Sequence, residues 1–234
     1  MMSEKHRSRL IVALDVPDRR RAIELAGETG EYVSHFKVGS RLFTAEGPEL
    51  VRDLKRAGSG VFLDLKYHDI PNTVAEAAQA ATSLGVDIFD IHAAGGTKMM
   101  RAAVDASRDE AARLGTAPPT ILAITVLTSM ASTVDEVLAL AELARGAGID
   151  GVVASAWEAR AIRERMGSDF LIVTPGIRPS WTQKNDQRRV ATPEEAIANG
   201  ADYVVVGRPI RDADDPAGAA RAIVDEMAPA EVAQ

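Results

Sequence analysis

The sequence predicts a (β/α)₈ barrel, or TIM barrel, formed by a single domain of 234 residues. Short apolar segments alternate with helical segments at about 25 to 30 residues per unit. Hydrophobic residues make up 46% of the chain and aromatic residues only 4%, which is typical of a parallel sheet packed with Ala, Val, Ile and Leu. A doubly wound sheet shares this alternation. Polar residues at the carboxyl ends of the strands, where barrel active sites are built, favour the barrel.

The eight predicted strands are short apolar runs, and most of them end at a polar residue or a glycine. They cover residues 10–14, 35–38, 61–66, 87–92, 120–126, 151–154, 170–173 and 202–206. Helices are predicted at 19–27, 48–57, 134–145, 193–199 and 216–227; two more begin at Pro71 and after Gly95-Gly96, and another runs through Ala159 and Ile162. Pro71 suits the first position of a helix because its missing N–H has no partner there.

Composition narrows the classes of function. The chain has no cysteine, so disulfides, thiolate nucleophiles and cysteine-ligated metals are excluded. A formal net charge of -7 argues against a broad nucleic-acid surface but leaves room for a local basic pocket that binds a small phosphate. No apolar run approaches membrane-spanning length and the first residues are polar. We therefore expect a soluble, cytoplasmic protein that contacts neither nucleic acid nor membrane.

The third predicted strand carries a charged motif into the following loop. Alternation along a strand sends Asp64 and Lys66 to the same face. Burying either charge alone would be costly, so each needs a close opposite charge. With Lys37 and Asp69 they make two positive and two negative charges, which can alternate in one cluster. We interpret these four as catalytic candidates; the alternative is an ion-pair network that only closes the barrel mouth.

The loops after strands seven and eight have the composition of a phosphate site. They contain Pro175-Gly-Ile-Arg178 and Gly207-Arg208, where glycine lets backbone N–H groups approach an anion and arginine adds a bidentate charge. Either piece alone could be a structural turn. The polar segment 178–190 between them is long for a compact domain, and is either a mobile lid or a flexible insertion.

Histidines give weaker signals. His92 ends a strand and is either an acid or base or a hydrogen-bonded structural residue. His6, His35 and His68 have no metal-ligand spacing. We therefore predict no metal site.

One ordered set of residues resembles the orotidine 5'-phosphate decarboxylase family, and the resemblance extends from residue 10 to about 227. The D-x-K-x-x-D core alone is shared with a wider superfamily, whereas the full set is more specific. The set comprises Asp15, Lys37, Asp64-Leu-Lys66-Tyr-His-Asp69-Ile-Pro-Asn-Thr73, Thr128, Pro175-Gly-Ile-Arg178, Asp186-Gln187-Arg188 and Gly207-Arg208.

The resemblance implies decarboxylation of orotidine 5'-monophosphate to uridine 5'-monophosphate in de novo pyrimidine biosynthesis by a homodimer that uses no cofactor and no metal. Lys66 would protonate C6 of the pyrimidine, with Asp64 beside the substrate carboxylate. Asp69 and Thr73 would enter the neighbouring subunit's site. The remaining implied contacts are Asp15, Lys37 and Thr73 to the ribose, Thr128 and Ser129 to the pyrimidine edge, and Arg178, Gln187, Gly207 and Arg208 to the phosphate.

Two alternatives stay open from the sequence. A metal-dependent sugar-phosphate lyase or decarboxylase, such as hexulose-phosphate synthase, resembles this chain in the D-x-K-x-x-D core but binds magnesium through a carboxylate at the end of the second strand. Here that position is Lys37, which cannot ligate a cation while protonated. A non-catalytic nucleotide-binding barrel is the other alternative, and the four charged residues argue against it.

Overall fold

Eight parallel strands close into a barrel in which each strand pairs with its neighbours in chain order and the last pairs with the first. The structure is a computed structural model and describes residues 9–127, 130, 132–182 and 190–228. The strands are β1 Leu10–Ala13, β2 His35–Gly39, β3 Gly60–Tyr67, β4 Ile88–His92, β5 Thr120–Ile124, β6 Gly151–Val153, β7 Leu171–Thr174 and β8 Tyr203–Val206. The predicted (β/α)₈ barrel is confirmed.

Helices surround the barrel and join successive strands. Within the described residues they are α1 Arg19–Thr29, α2 Ser40–Glu46, α3 Pro48–Arg56, α4 Pro71–Ser83, α5 Gly96–Leu114, α6 Val134–Gly146, α7 Ala156–Met166, α8 Pro193–Ala198, α9 Arg208–Arg211 and α10 Pro216–Glu226, with a 3₁₀ turn at Ala93–Gly95. Helices α2 and α9 were not predicted. Both are short, and each buries a single residue, Leu42 in α2 and Ile210 in α9, so neither has the apolar periodicity that reveals a helix in sequence.

Local sequence explains where several helices begin. Thr133 with Glu136, and Thr192 with Glu195, form reciprocal capping boxes at α6 and α8. Such boxes satisfy backbone N–H groups that a helix otherwise leaves without partners. Pro71 opens α4 directly after the loop that follows β3. These caps fix the ends of the loops that surround the barrel mouth.

The core has two layers. The larger lies between the strands and the helices, and the smaller fills the inside of the barrel with Ile11, Ala13, Phe62, Ile88, Leu122, Val173 and Val205. Asp64 follows Phe62 by two residues on the same face of β3, so its side chain lies one layer nearer the carboxyl-terminal mouth. The apolar interior therefore forms the floor under the charged residues.

Candidate active site

Four charged side chains at the barrel mouth form one connected network. Lys37 Nζ lies 3.0 Å from Asp64 Oδ2 and 3.6 Å from Asp15 Oδ1, and Lys66 Nζ contacts Asp64 Oδ1. The order Asp15, Lys37, Asp64, Lys66 alternates in sign along three adjacent strands and the turns at their ends. Each lysine lies against at least one carboxylate, as the sequence predicts.

The network contains Asp15 where the sequence analysis placed Asp69. Asp69 is exposed, and its carboxylate accepts a hydrogen bond from the N–H of the next residue, Ile70, at 2.6 Å. Thr73 is also exposed, in the first turn of α4. Within the described part of a single chain, neither side chain joins the network. Within one chain Asp15 completes the alternation of charges, and the role of Asp69 in the site of a neighbouring subunit stays a prediction.

Burial and charge hold the network in its ionised form. Burial alone would raise the pKa of Asp64, but Lys37 and Lys66 outweigh it and bring that pKa down to about 2. Burial likewise opposes charge on Lys37, yet Asp64 and Asp15 raise its pKa above the ordinary value. Opposite neighbours thus stabilise each charge more than desolvation penalises it. Both groups are charged at neutral pH.

Lys66 has an unusual backbone conformation. Its φ of 52° makes it the one non-glycine residue with positive φ among residues 9–127, 130, 132–182 and 190–228. The pairing of β3 with β4 shifts register between Leu63 and Tyr67, at the same place. A left-handed conformation costs an L-residue about 1–2 kcal/mol, and such strain is concentrated at active sites. The irregularity lies at the residue whose ammonium contacts Asp64 and lines the cavity.

A buried acid that the sequence analysis overlooked lies beside the network. Asp90, in the middle of β4, is 1% exposed, and its Oδ1 accepts a hydrogen bond from the backbone N–H of Lys66 at 2.8 Å. Burial raises the pKa of Asp90 well above its usual value, and the charge of Asp64 raises it further. A carboxylate inside an otherwise apolar strand, Ile88–His92, is the sequence signal that could have identified it.

A cavity of about 230 Å³ opens above these residues. Its charged wall comes from β2, β3 and β4, and its apolar wall comes from β5 to β8 and the segments that follow them. The charged side is Lys37, Asp64, Lys66 and Asp90 with Phe62 beside them, and the apolar side is Ile124, Val126, Leu127, Val153, Pro175 and Val205. A cavity divided in this way suits a flat ring with a polar group on one edge.

The predicted phosphate loops lie side by side because β7 pairs with β8. Gly176 has a φ of 79°, a conformation that favours glycine. Arg178 is 8% exposed, and its backbone N–H donates to the carbonyl of Ala191 at 2.9 Å. A Cβ added to Gly207 would meet Asp15 Oδ2 at 3.8 Å, so this loop borders the charged network. Arg208 begins α9 directly after it.

Some predicted site residues lie outside the described residues. Thr128, Ser129 and Gln187 belong to this group, as does most of the predicted lid, since residues 183–189 fall in the predicted segment 178–190. His92 is described, and its ring stacks on that of His68 with centroids 5.2 Å apart. Burial, with His68 and Lys66 nearby, lowers the pKa of His92. Its part in the site, catalytic or structural, stays open.

No candidate metal centre was found in the described part of the chain, where no three His, Asp or Glu side chains are grouped to hold an ion. The end of β2 carries Lys37, which is paired with Asp64. No helix among the same residues is both long and apolar enough to cross a membrane.

Comparison with known proteins agrees with this geometry. The model of the orotidine 5'-phosphate decarboxylase / HUMPS family matches residues 8–223. Orotidine 5'-phosphate decarboxylase of Moorella thermoacetica is 51% identical over 233 residues, covering 94% of this chain and 92% of the relative. The enzyme of the same name from Syntrophotalea carbinolica is 50% identical, covering 96% of each chain.

A solved structure extends the likeness to three dimensions. The crystal structure of orotidine 5'-phosphate decarboxylase from Lactobacillus acidophilus has a TM-score of 0.83 and 36% sequence identity, and the match covers 94% of this chain and 99% of that one. Sequence and fold therefore agree over nearly the full length. The chain belongs to the orotidine 5'-phosphate decarboxylase / HUMPS family.

Proposed function

We propose that this chain is a carboxy-lyase that converts orotidine 5'-monophosphate to uridine 5'-monophosphate and carbon dioxide in de novo pyrimidine biosynthesis, without cofactor or metal. The observation that carries the proposal is the alternating network of Asp15, Lys37, Asp64 and Lys66 beside an apolar cavity. In the proposal, the Lys66 ammonium of this network is the fixed cation beside C6 of the pyrimidine, where negative charge would form. Relatives about 50% identical over nearly the whole chain carry this name.

The reaction needs a cation because the ring supplies no electron sink. When the bond between C6 and the carboxylate breaks, its electron pair stays on C6, in the ring plane, and carbon dioxide leaves. Lys66 stabilises that pair and donates a proton from Nζ to C6, then regains a proton from solvent. Only interactions that strengthen toward the transition state accelerate the step. The contact between Lys66 and Asp64 holds the ammonium ready before the substrate binds.

Asp64 has a second role in the proposal. Its carboxylate stays charged, with a pKa of about 2, and faces the place of the substrate carboxylate. Repulsion between the two groups is relieved as carbon dioxide leaves. The apolar wall, formed in part by Val126, Val153 and Pro175, excludes water and strengthens these charge effects.

The remaining contacts bind the nucleotide. Asp15 and Lys37 hold the ribose hydroxyls, and Thr128 and Ser129 meet the pyrimidine edge. Arg178, Gln187, Gly207 and Arg208 hold the phosphate, and segment 178–190 closes over it as a lid. Closure driven by the remote phosphate would lower the barrier at C6 by positioning the ring and removing water.

The proposed enzyme is a cytoplasmic homodimer. Asp69 and Thr73 complete the site of the partner subunit. Support comes from their exposure beside Ile70, a hydrophobic residue that is 65% exposed, and from their separation from the network of their own chain.

The proposal is tested by following the ultraviolet absorbance of the orotate chromophore. We expect the wild-type chain to consume orotidine 5'-monophosphate at the same rate in EDTA and in added magnesium, because Lys37 stands at the position of the metal-binding carboxylate. Activity that EDTA abolishes and magnesium restores would support the metal-dependent lyase instead. Absence of turnover in both conditions would contradict catalysis of this reaction.

Arg208→Ala is expected to lower kcat/KM for orotidine 5'-monophosphate by about 10- to 100-fold, because a charge-assisted hydrogen bond to the phosphate is lost. The matched control is orotidine, which lacks the phosphate. With orotidine the variant and the wild type should have equal kcat/KM. An equal loss with both substrates would show that Arg208 acts elsewhere than on the phosphate.

A further inference from the structure

Asp90 is a buried acid that the proposed mechanism leaves without a role. It lies on β4, between hydrophobic neighbours in the chain, and faces the charged wall of the cavity. Its Oδ1 accepts the backbone N–H of Lys66 at 2.8 Å. That hydrogen bond fixes β3 at the position where the register shifts and where Lys66 has a φ of 52°. Asp90 thus stabilises the strained backbone that presents the Lys66 ammonium.

The other oxygen of Asp90 is unsatisfied. Among the described residues, Oδ2 is buried and meets no hydrogen-bond donor. Asp64 lines the same wall of the cavity, and burial together with the charge of Asp64 raises the pKa of Asp90. Two carboxyl groups can share a hydrogen bond only when one of them carries a proton. Asp64 is paired with two lysines, which favour its ionised form. The proton is therefore more stable on Asp90 than on Asp64.

We propose that Asp90 is a positioning residue that is protonated at neutral pH, donates a hydrogen bond from Oδ2 to Asp64 and accepts one at Oδ1 from the backbone of Lys66. The Asp90 side chain thereby contacts both members of the ion pair between Asp64 and Lys66. This inference deepens the proposed function, since the residue it positions is the proposed proton donor. It also stands as a statement about the free protein, because every contact lies within one chain.

Charge balance supports the protonated form. Within one chain Lys37 and Lys66 carry two positive charges and Asp15 and Asp64 carry two negative ones, so this network is neutral when Asp90 is neutral. An ionised Asp90 would add an unpaired buried charge, which is costly in an apolar site.

The charged and titratable groups that face Asp90 lie on β2 and β3. They are Lys37, Asp64, Lys66 and Tyr67, and the pKa of Tyr67 is itself raised to about 12 by burial and by Asp90. Strand β5, on the other side, contributes only Thr, Ile, Leu and Ala. Asp64, whose pKa is lowered to about 2, and Tyr67, whose pKa is raised to about 12, do not imitate Asp90 between pH 4.5 and 8.

The first test is thermal unfolding of wild type and Asp90→Asn without substrate, from pH 4.5 to 8. A carboxyl whose folded pKa is raised binds its proton more tightly in the folded state, so the wild type loses stability as pH rises from about 3.9 toward the folded value. Asparagine cannot ionise. We expect the Tm of Asp90→Asn to rise relative to wild type by about 3 °C per pH unit from pH 4.5 to about pH 7. Parallel Tm profiles would overturn the inference.

The second test compares activity at pH 7. Asp90→Asn keeps an acceptor for the Lys66 N–H and a donor for Asp64, so kcat should stay within about threefold of wild type. Asp90→Leu is similar in size and has neither group, and we expect kcat to fall by about 100-fold with KM changed less than threefold, because the proton donor is misplaced. If Asp90→Asn and Asp90→Leu had the same kcat, whether unchanged or reduced from wild type, a positioning role would be contradicted.

Failure of the proposed function and failure of the Asp90 inference give different results in these two tests. If the chain does not decarboxylate orotidine 5'-monophosphate, the Tm profiles still decide whether Asp90 holds a proton. If Asp90→Leu does not fold, the comparison of wild type with Asp90→Asn still decides it, since that measurement uses only the conservative variant. Turnover by wild type combined with parallel Tm profiles would reject the role of Asp90 alone.

Discussion

Lys66→Ala is expected to lower kcat by at least about 10⁴-fold, because it removes both the proposed proton donor and the cation proposed to stabilise the negative carbon. The Lys66 side chain lies at the end of the network, where it contacts Asp64 and lines the cavity. Lys37, which carries the other ammonium of the network, is not placed to substitute for Lys66, because it is held between Asp64 and Asp15. Single-turnover absorbance of the orotate ring measures the loss.

The matched control is Lys55→Ala. Lys55 pairs with Asp87 at 2.6 Å, next to the start of β3 and hence at the opposite end of the barrel, so this variant should keep wild-type kcat. Binding of uridine 5'-monophosphate, measured by calorimetry, should survive in Lys66→Ala and show that the site is intact. A Lys66→Ala enzyme within tenfold of wild-type kcat would reject Lys66 as the proton donor.

A heterodimer of two inactive chains is expected to regain activity if Asp69 acts in the partner's site. In a dimer of one Lys66→Ala chain and one Asp69→Ala chain, both substitutions fall in the same site and the other site is intact. A doubly tagged, purified heterodimer should therefore show about half of wild-type activity, as two-fold symmetry requires. The parent homodimers should be nearly inactive.

The pairing of Lys66→Ala with Asp64→Ala provides the control. Both residues belong to the network of a single chain, so that heterodimer has one defect in each site and should stay inactive. Failure of the Lys66→Ala and Asp69→Ala pair to regain activity would place Asp69 in the site of its own chain. A monomer in solution would reject the proposed assembly outright.

Strand alternation and the position of polar residues at strand ends were sufficient to predict the barrel and the pairing of Asp64 with the lysines. These features depend on local periodicity, which sequence records directly. The connection of Asp15 to Lys37 could not be read in this way. It requires β1 to lie beside β2 and the turn after β1 to bring the carboxylate within 3.6 Å.

Asp90 and the backbone of Lys66 were overlooked for a related reason. The sequence of β3, Gly60–Tyr67, gives no sign of a register shift, because that shift depends on how β4 pairs with β3. Asp90 faces the network only because of this pairing. Contacts between subunits cannot be predicted in this way either, because no periodicity within one sequence shows which surface meets a second copy.

The division of the cavity into a charged wall and an apolar wall also divides the chain. The charged lining residues come from β2, β3 and β4, and the apolar ones, apart from Phe62, come from β5 to β8 and the segments after them, while the two predicted phosphate loops follow β7 and β8. Under the proposed function, substitutions in the second half would alter which phosphorylated molecules bind without disturbing the ion pairs. Substrate selection would then vary separately from proton transfer, which the proposal assigns to the amino-terminal half.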